Sequence, residues 1–230
     1  SSDVCSSDLT RFGIREFYVD AETGFFLNQE SYPLRGVSRH QDRQGKGWAI
    51  SEEEQREDAM LIHEIGATAV RLAHYQHAQS FYDFCDELGM VVWAEIPFVN
   101  RVSTQESGNA KQQLVELIRQ NYNHPSIYIW GLHNEVYAPY NYTVSLTTEL
   151  NDLAKTEDPY RLTASVNGYS VVNQESNLNA DVQGINHYFG WYGGKIGDIE
   201  KWVTGMEQNF PDYRVVFSEY GAEANIHQQE

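Results

Sequence analysis

Two glutamates stand where an apolar run gives way to polar residues. Glu135 closes the run Ile127-Tyr128-Ile129-Trp130-Gly131-Leu132-His133-Asn134-Glu135, and Glu219 closes Val215-Val216-Phe217-Ser218-Glu219. A carboxylate at the rim of a packed core loses hydration, which is costly unless the group is paired or used. One such residue alone is as readily a solvated loop residue or a helix cap. Two across one small cleft would suit cleavage of a glycosidic bond, where one carboxyl protonates the departing oxygen and the other attacks the sugar or activates water. Aromatic residues gather near the same run ends: Trp130, Tyr188, Phe189, Trp191, Tyr192 and Tyr220. Trp130 reads as an ordinary core aromatic. The stretch 186–194 mixes aromatic, glycine and polar residues and reads as a binding loop.

The histidines point away from metal chemistry. His74 and His77 have H-x-x-H spacing, and His63-Glu64 starts like a zincin motif, but position 67 is Ala67, so the helical H-E-x-x-H pair is missing. Two cysteines, Cys5 and Cys85, supply neither a zinc cluster nor a disulfide framework. His40 and His74 read better as ligands for sugar hydroxyls, and no metal or cofactor is expected.

The elements that must position these residues alternate. Residues 12–34 alternate apolar and polar around a turn at 20–24, a hairpin signal. Beyond it, apolar strands are expected at 33–37, 68–72, 90–94, 127–132, 162–166, 182–185 and 215–217. Helices are expected at 51–63, 80–88, 110–122, 144–155 and 199–209. Ser51 and Glu54 form a capping box, and Gly66 and Gly89 stop the first two helices. Uninterrupted apolar strands between amphipathic helices predict a parallel sheet covered by helices, an α/β fold. A doubly wound sheet would place a glycine-rich phosphate loop after its first strand, whereas Gly36-Val37-Ser38-Arg39-His40 has none. Nearly every strand ends in polar residues, among them Arg39-His40, Arg71, His74, Glu95, Asn134-Glu135, Asn167, Asn186-His187-Tyr188 and Ser218-Glu219-Tyr220. A (β/α)8 barrel collects such ends around one mouth.

The expected organisation is a polar leader over 1–9 foreign to the domain, a hairpin over 10–32 and the barrel over 33–230. Eleven residues follow Glu219 (230 − 219), too few for an eighth β/α unit. The barrel is therefore expected to stop before that unit, with two unpaired strand edges. The chain then reads as part of a longer enzyme, weakly stable or inactive alone.

Composition narrows the partners. Thirty-three acidic residues against 16 basic ones give a net charge of −17, which disfavours nucleic acid and anionic membrane surfaces. The apolar runs are too short to span a bilayer.

Gly36-Val37-Ser38-Arg39-His40, Arg71-Leu72-Ala73-His74-Tyr75, Asn123-His124-Pro125-Ser126-Ile127, Asn134-Glu135, Asn186-His187-Tyr188-Phe189-Gly190-Trp191-Tyr192 and Ser218-Glu219-Tyr220-Gly221 occur in this order. Together they resemble the catalytic barrel of glycoside hydrolase family two, the family of β-galactosidases, β-glucuronidases and β-mannosidases. The resemblance covers residues 11–230 and implies a retaining hydrolase normally preceded by β-sandwich domains. It implies that Glu135 is the general acid/base, Glu219 the nucleophile and Asn134 the contact to the sugar 2-hydroxyl. Tyr188 and Arg71 would support the nucleophile, with His40, His74, Asn186, His187 and Trp191 lining the sugar site. The substrate would be a small-molecule or oligosaccharide β-glycoside, and a homo-oligomer is compatible.

The loop Glu95-Ile96-Pro97-Phe98-Val99-Asn100 lacks the Glu–His pair with which some β-galactosidases hold magnesium. Glu219-Tyr220-Gly221-Ala222 lacks a histidine of the best-known β-galactosidases, and Gly193-Gly194-Lys195 leaves room for an anionic sugar. A terminal β-D-galactoside is the favoured substrate. A β-glucuronide, or a sugar-binding module without turnover, is the alternative.

Overall fold

The structure, a computed structural model, describes residues 10–168 and 175–222; the expected leader lies outside them. It opens with β1 (Phe17–Asp20), β2 (Gly24–Leu27) and β3 (Glu30–Ser31), an antiparallel sheet in the order β1-β2-β3. The third strand was not expected. Asn28 and Gln29 both take positive φ (50° and 69°) and pair Leu27 with Glu30, the geometry of a two-residue hairpin turn. With Gln where Gly is usual, and only two exposed residues beyond the turn, the signal is faint.

The rest alternates: β4 (Gly36–Arg39), α1 (Glu52–Glu64), β5 (Ala69–Leu72), α2 (Gln79–Leu88), β6 (Val91–Glu95), α3 (Ser107–Asn121), β7 (Ile127–Asn134), α4 (Tyr140–Glu157), β8 (Leu162–Asn167), the single turn α5 (Glu175–Leu178), β9 (Val182–Asn186), α6 (Asp198–Asn209) and β10 (Val215–Glu219). The capping box at Ser51 and Glu54 is formed. The helices α3 and α4 begin about a turn before the apolar period, because their first residues (Ser107-Gly108-Asn109, Tyr140-Asn141) carry no inward apolar stripe.

Seven parallel strands pair in the order β10-β9-β8-β7-β6-β5-β4. The sheet curls until its edges face one another, and Ser38 Oγ on β4 donates to Ser218 O on β10 at 3.2 Å. A nearly closed parallel barrel results, with every strand's C-terminal end on one rim. The strands β5, β6, β7 and β9 are buried along their whole length, which is why they read as unbroken apolar runs.

Two cores support the rim. An outer one packs α1–α4 on the strands through Ala59, Phe81, Leu114, Leu117, Leu146 and Leu150, all at most 2% exposed. An inner one fills the barrel with Trp93, Ile129, Val166 and Val182 and is closed below by the hairpin sheet, where Phe25 meets Tyr128 edge-on at 5.2 Å. Glycine is required inside: a Cβ at Gly131 would stand 2.4 Å from Glu95 Cβ and 2.6 Å from Trp93 Nε1.

A buried ion pair fastens β7 to the helix layer. Arg161 Nη1 donates to Asp158 Oδ2 at 2.8 Å, and its other nitrogens reach the carbonyls of Ile127, Tyr122 and His124. Trp130 Nε1 also donates to Asp158 Oδ2 at 3.0 Å. Trp130 therefore faces the helix layer, fully buried. Burial disfavours the Asp158 charge, but Arg161 and the Trp130 hydrogen bond outweigh it and hold the carboxyl below its usual range. Arg161→Ala leaves that charge buried and unpaired, and should cost about 3–5 kcal/mol in denaturant unfolding.

Candidate active site

The carboxylate of Glu219 reaches the rim from β10 at a register shift between Phe217 and Glu219. It accepts from Arg71 Nη1 at 2.6 Å and from Tyr188 Oη at 2.5 Å, while His74 Nε2 lies 3.6 Å from Oε1. Burial disfavours its charge. The Arg71 guanidinium and the Tyr188 hydroxyl outweigh that, so its pKa lies below the usual range for glutamate. Burial, and then the hydrogen bond to and charge of Glu219, push the Tyr188 phenol well up.

Glu135 follows β7 directly, with its backbone in the left-handed region at φ 55°, which a non-glycine residue adopts sparingly and often at functional sites. Its amide donates to Val166 O at 2.9 Å, and its Oε1 accepts from Asn186 Nδ2 at 2.7 Å. The neighbouring turn gives it room. A Cβ at Gly168 would sit 2.6 Å from Glu135 Oε1, and Gly168 N donates to Tyr137 Oη.

A polar relay joins the two carboxylates. Asn186 Nδ2 also donates to Asn134 Oδ1 (3.1 Å), which accepts from Arg71 Nη2 (2.9 Å), and Arg71 in turn reaches Glu219. Asn134 Oδ1 is thus taken, leaving its amide nitrogen as what it can offer a sugar hydroxyl. Ser218 Oγ donates to Asn186 Oδ1 at 2.7 Å and fixes the orientation of that amide.

Glu95 was noted from the sequence only as a polar strand end. It is 1% exposed. Its carboxylate accepts from Arg71 Nε (2.9 Å) and Nη2 (3.0 Å), and its Oε1 lies 2.6 Å from His74 Nδ1. It ends an apolar run just as Glu135 does, and that was the available signal. Arg71 packs over Trp93 at 5.3 Å.

The remaining expected residues lie at varying depth. His40 meets His74 edge-on at 5.3 Å; burial and His74 push its imidazole below the usual value. His187 turns its ring onto Phe189 at 4.0 Å, while its amide donates to Glu219 O. Trp191 lies beside Tyr192, which packs edge-on to Tyr188. His77, the second member of H-x-x-H, is buried beneath the rim. Burial and Arg39 bring its pKa to about 3. Since guanidinium only donates, Arg39 Nη1 donates to His77 Nδ1 (2.9 Å), and Nε2–H donates to Ala73 O (3.2 Å).

Among the described residues, Asp83, Asp86 and His124 are the group whose ligand atoms could share a cation. They lie on α2 and before β7, outside this mouth. Asp86 there accepts from His124 Nδ1 and Ser126 N, which accounts for the grouping.

Residues 19–228 match the model of the glycosyl hydrolases family 2 TIM barrel domain. This chain belongs to that family. It is 44% identical to a β-glucuronidase of Bacteroides fragilis over 229 residues, covering 95% of this chain and 32% of the relative. It is 37% identical to a β-galactosidase of Thermoanaerobacter pseudethanolicus over 168 residues, covering 72% of this chain and 22% of the relative. The crystal structure of a candidate β-galactosidase from Bacteroides fragilis superposes with a TM-score of 0.93 at 54% identity, over 95% of this chain and 32% of that one. The chain thus spans about a third of the length of the first of these relatives. Family 2 membership makes it a glycoside hydrolase domain.

If the Tyr188 hydroxyl helps keep Glu219 ionised, Tyr188→Phe in the intact protein moves the acid limb of kcat/KM upward, by about half a unit to one unit. The sign follows from the lost donor, since a carboxylate with fewer hydrogen bonds protonates at higher pH. A pH–rate profile of the two proteins checks it.

Proposed function

We propose that this barrel hydrolyses a terminal β-D-glycoside with retention, through a covalent glycosyl-enzyme. The observation that carries the reading is one ionised carboxylate, Glu219, gripped by Arg71 and Tyr188, with a second, Glu135, tied to it through Asn186, Asn134 and Arg71. In the first step Glu219 attacks the anomeric carbon. The bond to the leaving oxygen breaks, and Glu135 gives that oxygen its proton. In the second, Glu135 takes a proton from water, the water oxygen attacks the same carbon, and the ester to Glu219 breaks to restore the carboxylate. Asn134 holds the 2-hydroxyl, and His40 and His74 the neighbouring hydroxyls. Asn186, His187 and Trp191 support or flank that subsite.

For the sugar we favour β-D-glucuronide, on the 44% identity to a relative named β-glucuronidase. This replaces the expectation of galactoside. A neutral β-D-galactoside is the second reading, and two observations favour it: the 54% identity to the solved candidate β-galactosidase, and the charge of the described mouth, where Arg71 is the guanidinium and Glu95 and Glu219 already occupy it. A uronate would need a further cation. Paired rates on nitrophenyl β-D-glucuronide and β-D-galactoside decide between them, at least about 10²-fold being expected in favour of the uronide because a site built for a charged group rejects the analogue lacking it. Turnover of neither glycoside by the intact protein overturns the hydrolase reading.

A further inference from the structure

We propose that Glu95 is a positioning residue that apportions Arg71 between two carboxylates, aiming its Nη1 at the nucleophile while offsetting part of its charge. The inference rests on the hydrolase reading above. Glu95 takes the Nε–Nη2 edge of the guanidinium in a two-pronged contact (2.9 and 3.0 Å), and Glu219 receives Nη1 alone at 2.6 Å. Two-pronged pairing fixes the plane of an arginine, not merely its distance. With that edge held and the Trp93 ring beneath it, Nη1 has one direction left, toward β10. His74 is held by the same carboxylate through Nδ1, which turns Nε2 toward Glu219.

The charge account gives the pairing a purpose. Glu219 loses its charge when it becomes an ester. Any cation that stabilises the free carboxylate and not the ester therefore raises the barrier to attack. An Arg71 without Glu95 would place its whole charge against Glu219. It would also be stranded in the covalent intermediate, 5% exposed and with no anion, which a buried cation tolerates poorly. Glu95 keeps it paired in both states. The groups facing Glu219 are Arg71 from β5, His74 after it, Tyr188 after β9 and His40 after β4; Glu135, after β7, acts on Tyr188, and Glu95, from β6, acts through Arg71 and His74. Glu95→Gln removes one anion from this set and leaves the others in place.

The test is the pH dependence of kcat and kcat/KM in the intact protein, on whichever glycoside the wild type cleaves. Glu95→Gln should lower kcat about 10-fold or more and move the acid limb of kcat/KM down by about half a unit to one unit, as a carboxylate beside a less neutralised arginine requires. A purely structural role would lower kcat with the limb in place, and that outcome overturns the proposal, as does an unchanged kcat. Glu95→Asp keeps the charge but withdraws it by one methylene. It should lower kcat at least about 5-fold and move the limb up by about half a unit, since the charge is kept while Nη1 is no longer aimed at Glu219. If the Gln variant does not fold, as judged by circular dichroism and thermal melting, the Asp variant decides: wild-type kcat, or a limb that stays in place or moves down, overturns the proposal. A wild type that cleaves no glycoside overturns the hydrolase reading and, with it, this proposal.

Discussion

Glu219→Gln should lower kcat by at least about 10²-fold on every glycoside the protein cleaves, whatever the leaving group. The amide keeps the size of the carboxylate: its single oxygen can still accept from Arg71, and its NH2 can donate to the Tyr188 hydroxyl oxygen where a carboxylate oxygen had accepted, so the fold around it has little reason to change. What it lacks is the negative charge and the nucleophilic lone pair. A better leaving group cannot restore either, because the bond to C1 must form in every case. A mechanism-based fluorosugar should label the wild type at residue 219 and leave the variant unlabelled. Wild-type turnover, or label on another residue, would remove Glu219 from the role.

Glu135→Gln should behave differently, and the difference is the informative part. Its task is to hand a proton to the departing oxygen, so the loss should depend on how much that oxygen needs one. On an alkyl glycoside the fall in kcat/KM should be on the order of 10²–10⁴, the worth of a positioned acid. On a dinitrophenyl glycoside, whose phenolate leaves unaided, the first step should be nearly spared, with a burst of phenol ahead of a slow steady state limited by the missing base. In Glu135→Ala, azide should enter the vacated space and speed that second step by attacking C1 directly. An equal loss across leaving groups would mean that Glu135 acts through structure, for instance through its hydrogen bond from Asn186, and not as the proton donor.

Much of the fold could be read before any coordinates, and the reason is local. The strands β5 to β9 are covered inside and outside, so Ala69–Leu72, Val91–Glu95 and Ile127–Asn134 present no polar alternation that would confuse them with loops. The short pieces were not readable. The two exposed residues of β3 and the single turn of α5 carry no periodicity, and β3 is set by the turn at Asn28-Gln29. At the site, residue type pointed to Glu135 and Glu219 because each interrupts an apolar run. Contacts are another matter. Arg71 and Glu219 are 148 positions apart, and only the curl of the sheet brings them together. Glu95 shows the limit of reading one residue at a time: a glutamate at a strand end announces chemistry or structure equally, and the arginine it grips decides which. His187 shows another limit, since its motif is shared with Asn186 and Tyr188 while its ring turns to Phe189.

The meeting of the strands β4 and β10 bears on how firmly Glu219 is mounted. Among the described residues, β10 is hydrogen-bonded as a strand only to β9, and its residues are half-buried where those of β9 are fully buried. Beyond the Ser38–Ser218 bond, Arg71 on β5 and His74 after it tie β10 across the seam, through Glu219 itself. The carboxylate proposed as the nucleophile is thus also a fastener of the strand that carries it. In the proposed double displacement the contact from Arg71 to Glu219 would loosen when the ester forms and re-form when water releases it.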